Sequence, residues 1–458
     1  MSTDETSAGP NLDGKADCVV RMDPNDQAIS SLQWIHPTSM PAMLSYTTWM
    51  GAVGVCSIEK DANNAIKSSQ VVHLTAPKAT TCVLNQNAAS QAPPGFGGYS
   101  QNPSERFTPN NASLPLLCST LTENGDLFAA GCGGCVYHYD LKALGSGGSL
   151  EESYKIVARH ARPIKSIATL PNSPLLVTAS WDKSVRVWDI RQALPNAASP
   201  LYQSGNDGSV AQFQCAGPVH DLAFNFDSKT IPQPSAGFSA QSPTSQQTSH
   251  LGIALCAREA SLIDFSRMQL IRTLKPLSTV RNQMTCATIL FNEQNTSYGF
   301  AVGCKDGRAM VKVFDDESPS GFSQGLHASS ISKVSKSFSF VGQKVERSVN
   351  MRSQSVDALK PGHYPVNSIQ AHPQFPGTVL TAGGDGSVKT WDIEKRRSIR
   401  TFEYGYQSIS AAKFSGNGGD MLAIALGYDW SRGTANFKSA KAGGIVVKAL
   451  KIEDVQAK

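Results

Sequence analysis

Chemistry in this 458-residue chain would have to come from a few groups whose types and spacing suit it. Cys132 and Cys135, in "CGGC", have the spacing of a redox dithiol or of half a zinc site. No second CxxC completes a tetrahedral set, and the two glycines fall where a hairpin turn is needed between "DLFAAG" and "CVYHYD". The sequence contains no HExxH or GxxxxGKS/T, so the recognisable routes to metalloprotease and nucleotide-hydrolase chemistry are missing. Histidine and aspartate instead recur in a pattern. His160 lies 22 residues before Asp182 and His363 lies 22 before Asp385, and Trp188 and Trp391 each follow their aspartate by six. A buried histidine, aspartate, serine or threonine and tryptophan can share hydrogen bonds, which makes His160, Asp182, Trp188, His363 and Asp385 expected scaffold. A basic group, Lys395, Arg396 and Arg397, follows Trp391, and such a cluster beside an aromatic ring can contact phosphates and stack a base.

The elements that must position these residues follow from the same repeats. "LLVTASWDKSVRVWDI" (175–190) and "TVLTAGGDGSVKTWDI" (378–393) each join an apolar β-branched run, a turn and an alternating run, the pattern of a small antiparallel sheet. That is the signature of a WD-repeat blade, in which four-stranded sheets pack radially around a central channel. Weaker copies lie near 28–60, at 116–141, across "PVHDLAFNF" and "LGIALCAREASLIDFS", at 286–314, and from "ISAAKF" through "GGIVVKALKIED". The expected fold is therefore all-β, a seven-bladed propeller over 17–455. The N-terminal "DCVVRMD" (17–23) should close the last blade, protecting its strand edge.

Composition agrees with many short strands and frequent turns: 40% hydrophobic residues, 38 glycines and 25 prolines. Residues 1–16 and three inserts (84–113, 228–249 and 316–362) are rich in polar residues, Gly and Pro. They are expected to be disordered, because they bury too little apolar surface to offset chain entropy. The third insert carries Lys333, Lys336, Lys344, Arg347 and Arg352 among serines; a solvated loop is the first expectation, contact with acidic partners the second. No apolar signal core or run of about 18 apolar residues occurs, so a soluble intracellular protein without membrane insertion is expected. Ten cysteines in so long a chain fit buried free thiols, the sequons at Asn111 and Asn295 carry little weight, and a net charge of +5 implies at most a local basic surface. A propeller alone assigns no function; an interaction platform is the default.

The last blade adds "AIALGYDWSRG" (423–433), with Tyr428, Asp429 and Trp430 where an ordinary repeat would only turn. Together with "YPVNSIQAHPQFPGTVLTAGGDGSVKTWD" and "YGFAVGCKDGRAMVKV", it resembles the nuclear-pore-associated WD-repeat messenger RNA export factor family. The resemblance covers most of 17–455 and is strongest in blades three and five to seven. It implies a non-enzymatic adaptor with no cofactor, located at the nucleus and nuclear pore and shuttling to the cytoplasm. Such an adaptor binds an acidic GLEBS hairpin segment of an FG-repeat nucleoporin. On that reading Arg258 is a basic contact, Trp49 and Trp181 are peptide anchors in turns, and Tyr428, Asp429 and Trp430 are structural. It also places a candidate single-stranded RNA contact at Trp391, Lys395, Arg396 and Arg397, although Ile393 stands where a lysine commonly follows the WD dipeptide. The alternative is the related spindle-checkpoint WD-repeat protein, which binds GLEBS-like segments of checkpoint kinases and typically lacks the YDWS element.

Overall fold

The computed structural model describes residues 17–20, 28–35, 42–60, 65–76, 114–122, 124–142, 154–171, 173–192, 207–224, 250–274, 283–292, 297–314, 337–345, 362–404, 407–416, 418–427 and 443–456. Seven four-stranded antiparallel sheets are arranged as the blades of a ring, a seven-bladed β-propeller. Blade one holds β2 (Ile29–Ile35), β3 (Ala42–Thr48), β4 (Ala52–Lys60) and β5 (Ile66–Thr75). Blade two holds β6 (Leu116–Leu121), β7 (Asp126–Gly131), β8 (Cys135–Asp140) and β9 (Tyr154–Arg159). Blade three is β10 (Ile164–Thr169), β11 (Leu175–Ser180), β12 (Ser184–Asp189) and β13 (Ala211–Gln214); blade four is β14 (Asp221–Phe224), β15 (Leu251–Leu255), β16 (Ala260–Asp264) and β17 (Gln269–Leu274). Blade five comprises β18 (Met284–Phe291), β19 (Ser297–Cys304), β20 (Arg308–Val313) and β21 (Phe338–Val341). A two-stranded ribbon, β22 (Lys344–Val345) with β23 (Gly362–His363), precedes blade six: β24 (Val366–Ala371), β25 (Thr378–Gly383), β26 (Ser387–Asp392) and β27 (Arg397–Glu403). Blade seven takes β28 (Ser408–Phe414), β29 (Met421–Gly427) and β30 (Gly444–Ala449) from the C-terminal end. Its fourth strand is β1 (Asp17–Val20), antiparallel to β30 with Cys18 opposite Val447. The N-terminal strand thus closes the ring, as its sequence position suggested.

Burial is high in the middle strands of each blade and falls to its lowest in the outermost strand, and the sequence follows that pattern. The second strands "LGIAL" of β15 and "MLAIALG" of β29 are buried at every residue because both faces of the sheet pack on neighbouring blades. The outermost strands β5 and β27 are largely exposed and correspondingly polar. The core is therefore a series of interfaces between blades. Leu44, Tyr46 and Ile58 of blade one pack with Ala423, Ala425 and Ile445 of blade seven, and Leu262 and Leu274 of blade four pack with Phe300 and Val302 of blade five. Each fully buried aliphatic side chain contributes roughly 1.5–3 kcal/mol. Tyr46 lies so close over Gly54 that a Cβ there would stand 2.2 Å from its ring.

Blade three contains the anticipated network. His160 Nδ1 donates to Asp182 at 2.8 Å, Thr178 Oγ1 donates to His160 Nε2 at 2.7 Å, and Trp188 Nε1 donates to Thr178 at 2.8 Å. Burial lowers the pKa of His160 although Asp182 opposes it. Burial alone would raise that of Asp182, but the bonds from His160 and Ser184 and the charge of Arg186 hold its carboxyl below the usual range.

Blade six departs from expectation. His363 is exposed in the ribbon, opposite Lys344, and takes no part in the network. Its place is filled by Gln343, fully buried, whose amide donates to Thr381 at 3.3 Å and whose carbonyl accepts from Ser387 at 2.9 Å. The Ser387 hydroxyl also stands 2.9 Å from Asp385, so its single proton is shared between the amide carbonyl and the carboxylate. A neutral amide, with one donor and one acceptor side, does the bridging work of an imidazole. The third insert is corrected by the same region. Phe338–Val341 is the outer strand of blade five and Gln343 is core, because alternate residues of "FSFVGQ" find a sheet edge to cover. The remaining insert residues, except Ser337, Lys344, Val345 and Gly362, lie outside the described residues, as do the other two inserts and residues 1–16.

Two further features hold the ring. In six blades the innermost strand bulges near its start, at its second residue (Ser30, Leu117, Lys165, Thr285 and Asn367) or at its third (Ser410). A bulge re-aims the side chain it carries. Ser30 donates to the Leu116 carbonyl at 2.6 Å and Asn367 to the Ile409 carbonyl at 2.8 Å, each tying its blade to the next. On the opposite side, His372 is buried between Phe375 and Phe414. Its Nδ1 accepts from the Gln374 and Phe375 amides at 3.1 Å each, and Nε2 donates to the Gly419 carbonyl at 3.2 Å. Burial pushes its pKa down to about 4, with the Gly419 bond opposing. The short helix α1 (Ile452–Val455) ends the chain's descent onto blade six, where Thr390 and Thr378 donate to the carbonyls of Asp454 and Val455 at 2.7 Å each.

Candidate functional site

The turns between second and third strands, together with the connections between blades, form one rim of the propeller, here the upper rim. Backbone bonds knit it: Trp49 N donates to Ala28 O, Cys132 N to Pro115 O, Trp181 N to Pro163 O, Met284 N to Ala257 O and Gly384 N to Pro365 O. Three of the expected peptide contacts share this rim. Trp49 stands in the turn 49–51 of blade one, which closes through Gly51 at φ 85°. Its ring is 43% exposed and the adjacent Met50 is 60% exposed, two large apolar side chains side by side in solvent. Single exposed apolar residues are ordinary, but an adjacent tryptophan and methionine at a turn make an anchor for a partner. Met50 escaped the sequence reading; its one signal was an apolar residue inside a turn.

Trp181 occupies the same turn of blade three but is half-buried, and its indole N–H is shielded with no acceptor among the described residues. Between the two tryptophans sits the blade-two turn, Cys132-Gly133-Gly134. Gly134 has φ 69°, and a Cβ on it would meet the His160 carbonyl at 2.7 Å, so the chain here is bare backbone pressed onto the rim. The glycines of "CGGC" thus shape a low saddle flanked by Trp49 and Trp181. Cys135 is buried in β8 and burial raises the Cys132 thiol pKa, the reverse of what an attacking thiolate needs. Arg258 is exposed in the corresponding turn of blade four, next to blade three. Tyr428, Asp429 and Trp430 lie outside the described residues.

The basic cluster is on the other rim. Lys395 and Arg396 are exposed in the turn between β26 and β27 and Arg397 is exposed at the start of β27; the Ile393 amide at this turn bonds the Gly377 carbonyl of the lower side. Lys395 lies 3.7 Å from Asp392, and the Arg396 guanidinium sits 4.3 Å over the Phe338 ring of blade five. Arg400 lies 3.6 Å from Asp454. Trp391 is set apart from this surface cluster: its indole donates to Thr381 at 2.8 Å and its ring leans on Phe340, centroids 4.8 Å apart. It is the blade-six counterpart of Trp188, held in the scaffold, and not an open platform for a base. Candidate peptide and RNA contacts are therefore on opposite rims.

Comparison with known proteins agrees with this architecture. The WD domain, G-beta repeat family matches residues 151–189 and 354–392. The chain is 26% identical over 303 residues to the Poly(A)+ RNA export protein of Schizosaccharomyces pombe, a match covering 63% of this chain and 66% of that protein. It is 27% identical over 289 residues to mRNA export factor GLE2 of Chaetomium thermophilum, covering 61% and 62%. The chain thus spans just under two thirds of the length of each of these relatives. A solved structure of U3-55K superposes with a TM-score of 0.58 at 11% identity, covering 96% of this chain and all of that one, a likeness of fold.

Proposed function

Since the chain belongs to the family of WD-repeat mRNA export factors, we propose that it serves mRNA export as a non-enzymatic adaptor at the nuclear pore. Its upper rim receives an acidic, hairpin-forming GLEBS segment of an FG-repeat nucleoporin. The observation that carries this reading is the upper rim itself: Trp49 and Met50 exposed at one end, the bare Gly133-Gly134 saddle, Trp181, and exposed Arg258 beyond it. Aromatic anchors with an arginine are the side chains that dominate peptide affinity, and a planar guanidinium pairs with carboxylates bidentately. The turn at Lys395, Arg396 and Arg397 is the proposed single-stranded RNA contact. A propeller so arranged holds both ligands at once, one on each rim. Nucleocytoplasmic shuttling follows from such a role.

Binding of a GLEBS peptide to Arg258→Glu, Trp49→Ala and Trp188→Ala tests the division between site and scaffold. The first two should weaken binding several-fold with an unchanged melting temperature. Trp188→Ala should cost about 3–5 kcal/mol of stability and affect binding only through that loss. Wild-type affinity in both rim variants would refute the peptide site. Changing Lys395, Arg396 and Arg397 to alanine should flatten the salt dependence of RNA binding, and an unchanged slope would refute the RNA contact.

A further inference from the structure

We propose that Ser398 is a phosphorylation site for an arginine-directed serine kinase, and that its phosphate neutralises the basic turn beside it. The inference rests on the RNA reading and deepens it, because the charge it cancels belongs to Lys395, Arg396 and Arg397. The sequence "EKRRSIR" places Lys395 three and Arg396 two residues before the Ser398 hydroxyl. Kinases of this class choose substrates by charge pattern, meeting cations at those two positions with carboxylates of their own. Among the described residues no other serine or threonine has basic residues at both positions.

The fold presents this serine to an enzyme. Ser398 is exposed as the second residue of β27, the outermost strand of blade six. One edge of β27 pairs with β26 and the other has no strand beside it in the sheet, so the backbone is already extended and open on one side. The chain arrives from a turn in which Arg396 has φ 54°, and just beyond Ser398 the pairing with Thr390 and Trp391 skips Ile399. Both features leave Ser398 in a short, weakly held stretch of strand. Ser398 lies directly opposite Trp391, so the two share the face on which Trp391 leans against Phe340 of blade five. On that side the Arg396 guanidinium covers the Phe338 ring at 4.3 Å. A phosphate on Ser398 is thus set among cations. From Asp392 to Arg400 two carboxylates, Asp392 and Glu394, stand against four cations, Lys395, Arg396, Arg397 and Arg400, a net charge of +2. Phosphoserine brings about −1.5 to −2 and cancels it. In the transfer the Ser398 Oγ bonds to the γ-phosphorus of ATP as the bond to the ADP oxygen breaks, and the hydroxyl proton passes to the catalytic carboxylate of the kinase.

The full-length chain, incubated with magnesium ATP and the catalytic subunit of cyclic-AMP-dependent kinase, tests the site by mass spectrometry of the modified residues and by titration with a fluorescent oligouridylate. Ser398 should carry phosphate, and Arg396→Ala should slow its modification about ten-fold or more. The modified chain should bind the oligonucleotide about ten-fold more weakly at low salt and with a flatter salt dependence, because the added dianion opposes the RNA phosphates. Ser398→Ala treated in the same way should bind like the untreated chain, which separates this phosphate from any on other serines. Absence of phosphate from Ser398 in the folded chain would overturn the proposal. So would unchanged RNA affinity after modification while the Lys395, Arg396 and Arg397 triple alanine variant binds weakly. Wild-type RNA affinity in the triple variant instead refutes the RNA reading, and phosphate found on Ser398 then upholds the modification by itself.

Discussion

Acidification should loosen the joint between blades six and seven through His372. In the folded chain its Nδ1 accepts two amide protons and its Nε2–H donates to Gly419, so there is no room for a second ring proton. The folded pKa of about 4 stands against an ordinary value of 6.5. Because the folded value is the lower one, the unfolded chain binds more protons, and stability falls as pH drops below the unfolded value. At pH 7 the folded ring is neutral and only about a quarter of unfolded rings carry the extra proton. At pH 5 the unfolded ring is protonated while about one folded ring in ten is, and integrating the difference gives a loss of about 2 kcal/mol, rising to about 3 kcal/mol at pH 4. His160, also shifted down by burial, adds in the same direction. Isolating His372 therefore needs a variant, and His372→Asn keeps an acceptor toward the Gln374 and Phe375 amides while losing the titration. Urea unfolding midpoints of both proteins at pH 7 and pH 5 provide the measurement. The wild type should lose about 2 kcal/mol more than the variant over that interval. Equal losses would refute the reasoning and place the acid sensitivity elsewhere.

Gln343→Ala should destabilise the chain by about 1–3 kcal/mol, since it removes the buried bonds to Thr381 and Ser387 and leaves a void between them, whereas His363→Ala should be silent; thermal melts of the pair decide. Gly54→Ala should lower the melting temperature by several degrees or prevent folding, because Tyr46, fully buried, cannot move off a Cβ only 2.2 Å away. Deleting residues 1–20 removes the fourth strand of blade seven and exposes its edge, so the truncated chain should aggregate on expression where the full chain stays monodisperse by light scattering.

The blades were legible wherever turn and strand chemistry stayed local. The repeats at 175–190 and 378–393, the low-identity copies around them and the closing strand at 17–20 all announce themselves by apolar runs punctuated by turns. Long-range substitutions were not. His363 has the right spacing to Asp385, but the chain between blades five and six spends it on the ribbon, and the buried partner is Gln343, further upstream. Nothing in a single sequence distinguishes a histidine at the right distance from a glutamine that folds into its place. Likewise "FSFVGQ" is too short and too closely set among serines and lysines to stand out as a strand, yet β20 offers it an edge. The three peptide-rim residues were recognisable as turn residues, while the degree of exposure that separates Trp49 from Trp181 depends on packing around each ring.

The pairing of β1 with β30 also sets a timetable. Asp17 and Lys448 face each other although more than four hundred residues of chain separate them. The first strand leaves the ribosome early, but the blade it belongs to is synthesised last, and the helix that latches blade six follows later still. Closing so long a loop is entropically slow, so the junction of blades seven and one should be the final event of folding, accomplished only after β30 has emerged. Until then the apolar faces around Leu44 and Ile58 wait uncovered, a vulnerable interval in which a nascent ring depends on chaperones rather than on its own geometry.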